Sequence, residues 1–446
     1  MIKDDCLSFG AKQNMMNIKE RLREIDRVQQ KNNSPRSEPT PLISQQTRVD
    51  VFSELFGANG NHAHIQPQQL SSDDCLVIEY RTPLAANVGN IALTDLSTLS
   101  SELIAIAGKD DNLKAVDLRR ALFIDTETTG LAGGAGTVAF LVGVGYLEND
   151  TFIVRQYFMR DFYEESSLLK RLAEQVNAAS ALISFNGRSF DIPLLNSRYI
   201  MNRRRAIFDG MPHFDVLFAV RRIWRDLLDS CSLGELEKSI LGVHRSEDVP
   251  GALVPQIYFD YLHSGKLDGL REVFLHNHQD ILSMAALAVR LCRMIQDPLA
   301  STTMPERRRI GALLRKVREL ERSVQVFENL VEKEAQAQTI DTFAELAWCY
   351  KRMQRHDEAR QLWQKALEKL AFHPLPYIEL SKHYEHRAKD YDQALELIDR
   401  ALRGIELREE LRGETVFHRA DLEKRRQRVQ RKKAGRENQC SVISKQ

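Results

Sequence analysis

"LFIDTETTGLAGG", Leu122 to Gly134, ends an apolar run in an acid, a threonine and a second acid, then breaks into glycines. The apolar run reads as a buried strand. Asp125 and Glu127 stand two apart on it, and strand alternation puts both carboxylates on one face. An acid pair at a strand end is commonly just where the chain meets solvent. It becomes chemistry only if other acids join it. The glycine run "GLAGGAG" (Gly130 to Gly136) lacks the GK[ST] of a phosphate loop. It reads as a turn between two strands, with close backbone approach to a nucleotide as the second reading.

The elements around this strand define the fold class. "TVAFLVGVGYL" and "TFIVRQYFMR" flank the polar "END" as a hairpin. "DCLVIEYRTPL" (Asp74 to Leu84) predicts a strand leading into the same domain. Helical spacing in "SLLKRLAEQVNAA" is followed by a buried strand in "ALISFNG". "FDIPLLNSRYIMNR" and "SLGELEKSILG" predict helices, the second opening with a Ser N-cap and a Glu three residues on. Leu270 to Ile295 predicts one long helix with an apolar face. A strand, a hairpin and then alternating helix and strand imply an α/β fold, a mixed sheet flanked by helices.

Two of these elements carry further acids. "ISFNGRSFD" places Asp191 just after a buried strand and a glycine, where a helix N-cap is the ordinary explanation. "HNHQD" puts His276 and Asp280 four apart on one helix face, where a surface pair is the ordinary explanation. Together the four carboxylates suit two Mg²⁺ or Mn²⁺ ions, hard cations that take oxygen ligands. Such a pair stabilises both the attacking and the leaving oxygen of a phosphoryl displacement. Asp125, on the core strand, is the candidate bridging ligand, and His276 the candidate base for the attacking water.

"FIDTETTG", "SFNGRSFD" and "HNHQD", in this order, resemble the three exonuclease motifs of the DEDD superfamily, which has a ribonuclease H-like fold. With "DTETTGLAGGAGTVAFLVGVG" and "SCSLGELEKSILG", the closer resemblance is to the YprB-type ribonuclease H-like exonucleases, whose members can carry tetratricopeptide repeats after the nuclease domain. The resemblance implies a metal-dependent 3′→5′ exonuclease acting on DNA or RNA, with single-stranded 3′ ends as the expected substrate. It implies Asp125, Glu127, Asp191 and Asp280 as the metal carboxylates. The base departs from the pattern. The histidine-type branch places it five residues before the last Asp, where Leu275 stands. The tyrosine-type branch places a Tyr four before, where His276 stands. His278 lies on another helix face.

Arg203, Arg204 and Arg205 in "MNRRRAIF", and Arg221, Arg222 and Arg225 around Trp224 in "RRIWRDL", lie between the second and third motifs. They read either as solvated helix surface or as phosphate contacts with a base stacked nearby. Asp215 ranks below the four acids, as a residue that packs on or hydrogen-bonds the site. His62 and His64 lack partner ligands at metal spacing.

The chain has 446 residues, is 43% hydrophobic and carries a formal net charge of +1, so several domains are expected and any nucleic-acid surface must be local. Its six cysteines are scattered with no CxxC pair, which argues against a zinc ribbon and fits a reducing cytoplasm. No apolar run approaches the roughly 20 residues that span a bilayer, and the start lacks a signal-peptide pattern. Residues 1–73 predict a disordered segment with a short helix at Asn17 to Gln30. The nuclease-like domain is expected over 74–298. Residues 306–412 predict helical repeats of period about 34: Tyr350 matches Tyr384, Ala359 matches Ala394, Ala366 matches Ala401, and Ser323 holds the small-residue place in a weaker copy. These predict either a cap on the nuclease domain or a concave surface for a protein partner. Residues 413–446 predict a basic tail, with Lys424, Arg425, Arg426, Arg428, Arg431, Lys432 and Lys433 solvated or acting as a nucleic-acid arm. Two other functions stay open: a non-cleaving scaffold that binds nucleic acid or protein, and a ribonuclease H-like endonuclease.

Overall fold

The computed structural model describes residues 74–130, 136–245, 248–333, 335–412 and 418–443, all within the unit Asn59–Gln446. The expected N-terminal segment, with its short helix and with His62 and His64, and the core of the glycine run at 131–135 lie outside the described residues.

The first layer is a sheet built from β1 (Leu76–Pro83), β4 (Ala121–Thr128), β5 (Ala139–Glu148), β6 (Thr151–Phe158), β7 (Ala181–Ser184) and β8 (His213–Asp215). A small ribbon of β2 (Asn87–Val88) and β3 (Ile91–Ala92) stands apart. The sheet order is β1-β6-β5-β4-β7-β8. The predicted hairpin is β5 and β6, with Asn149 in the left-handed region at its turn. β4 pairs antiparallel with β5 and parallel with β7, and β7 pairs parallel with β8. β4 is therefore the strand at which sheet direction changes, and the carboxyl ends of β4 and β7 lie side by side. In open α/β sheets this is where ligands bind. The register leaves a gap there: Ile124 pairs with Ser184, the last residue of β7, so Asp125 to Thr128 run on past it.

The helices that cover the sheet are α1 (Ser101–Gly108), α2 (Glu165–Ala178), α3 (Asp191–Met201), α4 (Val216–Trp224), α5 (Leu233–Leu236), α6 (Val254–Ser264) and α7 (Leu270–Gln296). α2 supplies the crossover that a parallel strand pair needs. α5 matches the predicted Ser-capped helix but continues into a wide π turn, Glu237–Leu241, that closes at Gly242 in the left-handed region. Single π turns of this kind are often found at functional sites.

α7 lies directly on β5. A Cβ on Gly143 would fall 2.1 Å from Asn277 Oδ1, and one on Gly145 would fall 2.6 Å from Ile281 Cγ2. Two glycines in a strand interior are locally weakening, and close approach of a helix is a reason to keep them. Gln156 of β6 locks the contact by donating to the Phe274 carbonyl at 2.8 Å and to Asn277 Oδ1 at 2.9 Å.

Beyond α7 the described chain is helical: α8 (Pro298–Ser301), α9 (Met304–Lys316), α10 (Leu320–Lys333), α11 (Ile340–Arg352), α12 (His356–Lys369), α13 (Pro374–His383), α14 (Tyr391–Arg412) and α15 (Arg419–Ile443). From α9 onward each helix packs on the next. Of the residues matched by the repeat, the small ones, Ser323, Ala359, Ala366, Ala394 and Ala401, and Tyr350 are buried, and Tyr384 is partly buried. Small side chains at these contacts let the helix axes approach. Among the described residues no helix is long and apolar enough to cross a membrane.

Two expectations are corrected. Trp224 is not placed for stacking on a base: it is buried beneath α9, and its Nε1 donates to Glu306 Oε1 at 2.7 Å. Much of the basic C-terminal block is not a solvated tail. It forms α15, which buries Leu422 and Val429, and Arg425, Arg428 and Lys432 converge on the buried carboxylate of Glu385. Glu385 sits in a second π turn, Tyr384–Ala388. One buried acid facing three cations gives the like-charge block a reason to fold back.

Gly143→Ala should destabilise the protein by about 1–3 kcal/mol, the usual result of forcing atoms into a filled core. Chemical denaturation followed by circular dichroism would read it. Gly234→Ala, where an added Cβ meets nothing within 4 Å, should leave stability unchanged or slightly raised. Equal behaviour of the two variants would show that α7 can move off β5 without loss.

Candidate active site

The four acids expected from sequence come together beside the switch in sheet direction. Asp125 and Glu127 project from the end of β4. Asp191 is the first residue of α3 and is buried. Asp280 stands on α7, one turn after Asn277, whose Nδ2 donates to Asp125 Oδ2 at 2.8 Å. Thr126, between the two strand acids, donates from its hydroxyl to Asp191 Oδ1. One strand end, one strand-to-helix turn and one long helix thus deliver their carboxylates to the same corner.

The turn before Asp191 is built by Asp215. Its Oδ1 accepts from the Asn186 amide at 2.9 Å and from Leu217 N at 3.1 Å, which caps α4. Its Oδ2 accepts from Arg188 N at 3.1 Å. Asn186 itself lies in the left-handed region. The expectation that Asp215 hydrogen-bonds the site thus takes a definite form: it shapes the loop that presents Asp191. Beneath it, Ser184 Oγ and His213 Nε2 are 2.7 Å apart, and burial pushes the His213 imidazole down to about 4.

Electrostatics set these acids apart from the rest of the chain. Asp125 is pushed well above the ordinary carboxylate range by burial and then by the charges of Asp280 and Asp191, against the Asn277 hydrogen bond and Arg245. Glu127 is raised by burial and by Asp125, Asp280 and Asp191. Burial lifts Asp191 from 3.8 to about 6, with the Thr126 hydroxyl opposing. Asp280 is raised by burial, with His276 and Arg245 opposing. Buried carboxylates, two of them raised further by the charges of the others, are a set short of positive charge.

Sequence reading missed the cation nearest this set. Arg245 follows the π turn, and its guanidinium pairs with Asp280 and with Glu237 at 2.6 Å, while Asp248 lies 3.2 Å away. Glu237 is buried and also accepts from the Ser283 hydroxyl. The second missed residue is Asp248, whose Oδ1 lies 2.6 Å from His276 Nδ1. His276 Nε2 lies 3.5 Å from Asp280 Oδ2. The histidine is thus held by one nitrogen and turned toward the acids with the other. The signal for both missed residues was the charged stretch "RSED" after "SILGVH", unremarkable without the fold. His278 points elsewhere: it stacks on Tyr80, and burial pushes it down to about 4.

The arginines proposed as phosphate contacts divide. Arg203, Arg221 and Arg225 are exposed. Arg204, also exposed, reaches Ser166 Oγ at 3.1 Å. Arg222 is committed to the Ala107 and Gly108 carbonyls at the end of α1, at 2.6 and 3.3 Å.

The donor set fits a hard divalent cation by its chemistry: four carboxylates and no soft ligand. Among the described residues no group of three or more His, Cys, Asp or Glu stands ready to hold a metal as it is. One oxygen each of Asp125, Asp191 and Asp280 is turned onto Asn277, Thr126 or Arg245.

The Asp191 shift has a sign that can be checked in metal-free buffer. The folded protein holds this proton up to about 6, and the unfolded chain releases it near 3.8. Its contribution to stability is full below the lower value and is lost as pH rises through the window. Asp74 and Glu385, lowered to about 2 by their arginine partners, act oppositely and in a lower window. Denaturation at a series of pH values with EDTA should therefore show Asp191→Asn more stable than wild type above that window, by at most about 3 kcal/mol. The two should converge toward its lower edge. Parallel curves would show that Asp191 titrates as an ordinary carboxylate.

The sequence matches the RNase_H superfamily over residues 122–292, a segment that contains all four acids and His276. It is also 31% identical over 351 residues to the Bacillus subtilis (strain 168) protein that bears the name Uncharacterized protein YprB, covering 76% of this chain and 83% of that protein. Similarity at this level across most of both chains, centred on a mixed sheet with an acidic corner at its switch point, shows that the chain belongs to the YprB family of the ribonuclease H superfamily.

Proposed function

We propose that the protein is a metal-dependent 3′→5′ exonuclease that hydrolyses phosphodiester bonds in DNA or RNA. The observation that carries this reading is the corner where burial raises the proton affinity of Asp125, Glu127, Asp191 and Asp280, and where Asp125 and Glu127 are raised further by their neighbours' charges. Membership in the superfamily supports a nuclease-type hydrolase acting on nucleic acid. The order of the three motifs supports the exonuclease direction.

Asp125, Glu127, Asp191 and Asp280 would hold two Mg²⁺ or Mn²⁺ ions. When bound, such a pair neutralises the carboxylates and stabilises charge on the attacking and leaving oxygens. The chain's own contribution is placement. Asn277 and Thr126 hold carboxylate oxygens of Asp125 and Asp191 in fixed directions. Asp248 holds His276 by Nδ1 and leaves Nε2 to accept a proton from the attacking water. Arg245 supplies positive charge to Asp280 until the acids are neutralised otherwise. The helical region beyond α8 would offer a surface for a protein partner.

A 5′-labelled single-stranded DNA and the matching RNA, incubated with Mg²⁺, Mn²⁺ or EDTA, would test this. A ladder shortened from the 3′ end, dependent on metal and absent for Asp280→Ala, is the expected result. His276→Ala should slow it by about 10²–10⁴-fold, and a circular substrate should resist. Cleavage of the circle would identify an endonuclease. No cleavage with any metal would leave a non-cleaving scaffold, with Arg245 as the permanent counter-ion of Asp280.

A further inference from the structure

We infer that the seam between the nuclease-like domain and the helical region is a docking track for single-stranded nucleic acid, with Trp348 as its stacking platform. This deepens the nuclease reading above and rests on it for the choice of ligand. The track begins with an open pocket lined by Arg318, Leu320, Trp348, Lys351 and Arg352. Four of these five are cationic or aromatic, and none is acidic. Trp348 is 44% exposed, a large hydrophobic ring left in water. The Arg315 guanidinium stands 4.9 Å from its centroid.

Several cations of the region are already engaged: Arg315 pairs with Glu345, and Lys351 with Glu379. Arg318 and Arg352 are different. Both are exposed, and among the described residues neither forms an ion pair. Arg318 is also held in the left-handed region, at φ 69, by the turn between α9 and α10. That turn projects its side chain into two hollows at once. The second hollow runs on to α1; its cations Lys109, Lys114, Lys316 and Arg322 stand beside the acids Glu102, Asp111 and Glu319, and Lys114 pairs with Asp111 at 2.8 Å. Cations therefore recur from α11 through the α9–α10 turn to α1, with the acid-free part at Trp348.

At α1 the surface reaches the turn that shapes the acidic corner. Asp110 follows Lys109, and its Oδ2 lies 3.3 Å from Arg188 Nη2. The Arg188 amide donates to Asp215, within the turn that presents Asp191. An exposed aromatic beside two unpaired arginines, on helices tied by hydrogen bonds to the turn that presents Asp191, matches how strands are held without regard to sequence. Bases stack on the ring and phosphates lie along the cations. An acidic peptide would satisfy the charges, but the exposed indole beside them and the tie to the turn that presents Asp191 favour the strand.

The test measures binding by full-length protein in EDTA, using the fluorescence anisotropy of a single-stranded oligonucleotide of about thirty nucleotides. The same variants are assayed with metal on a labelled tetranucleotide too short to reach the track. Arg318→Glu with Arg352→Glu should weaken binding of the long strand about tenfold or more and flatten its salt dependence by about two charges. Trp348→Ala should weaken it about tenfold with the slope unchanged. All three side chains are exposed, so folding is not at stake. Tetranucleotide cleavage should stay at the wild-type rate.

Long-strand binding unchanged in both variants, with tetranucleotide cleavage intact, would overturn the track and leave the nuclease reading standing. Binding lost in the variants of a protein that cleaves nothing would do the reverse. Polyglutamate that binds wild type but not Trp348→Ala, while the oligonucleotide binds both equally, would assign the surface to an acidic protein and overturn the proposal.

Discussion

Asp125, Glu127, Asp191 and Asp280 repel one another in a corner of low dielectric, and the surrounding structure exists to hold them there. Left unpaired, buried carboxylates take up protons or move apart. Here each of the three best-defined ones is tethered by a different element: Asp125 by Asn277 of α7, Asp191 by Thr126 of β4, and Asp280 by Arg245 of the loop after the π turn. The tethers cross between elements. The repulsion is therefore resisted by the packing of the whole sheet-and-helix layer. A protein built only for stability would replace such a group with apolar side chains at little cost. Four acids and one arginine kept here despite the repulsion are what the proposed metal site calls for.

α7 carries most of this burden. A single face of it presents His276 and Asp280 to the acids, while Asn277 reaches Asp125 and the Gln156 amide at once. For that face to reach β4 it must lie closer to β5 than side chains normally allow, and Gly143 and Gly145 make the approach possible. The small residues of a strand in the middle of the sheet and the acids of a helix far away in sequence are thus one constraint. His276 gains a second benefit from the arrangement: Asp248 takes up its Nδ1 side, which fixes the ring plane and leaves one nitrogen facing the charge.

Much of the fold was legible because its decisive elements are long apolar runs. β4, the β5–β6 hairpin, β7 and α7 each declare their period over enough residues to be read. β8 did not, since three residues carry no alternation, and neither did the π turns, which differ from ordinary helix only in how the backbone closes. The four acids were legible as a set because three motifs fall in a known order. Arg245 and Asp248 were not. Their partners Asp280 and His276 lie 35 and 28 residues away, and a charged loop reads as solvent-facing until the helix it touches is in place. The basic C-terminal block was misread for the same reason. Its buried counter-charge, Glu385, lies in a turn more than forty residues upstream of Lys432, and Asp392 and Asp399, which pair with Lys433 and Arg426, also lie well upstream.

The helical region is joined to the acidic corner by a rigid element, not by a linker. Asp215 caps α4 at its first turn and at the same time fixes the loop before Asp191. The other end of α4 carries Trp224, whose indole donates to Glu306 of α9. Hydrogen bonds to charged groups contribute about 1.5–3 kcal/mol each, and a buried one left half-made costs as much again. α4 is short, about 13 Å at the rise of an α-helix. The first helix of the array is therefore held by one stiff spacer at a set distance from the turn that presents Asp191. Arg222, in the last turn of the same helix, ties it to the end of α1. Surfaces on α1, on the α9–α10 turn and on α11 consequently keep their spacing from the acids. A strand lying along them would meet the corner in one direction, without the ordering entropy that a flexible connection would impose.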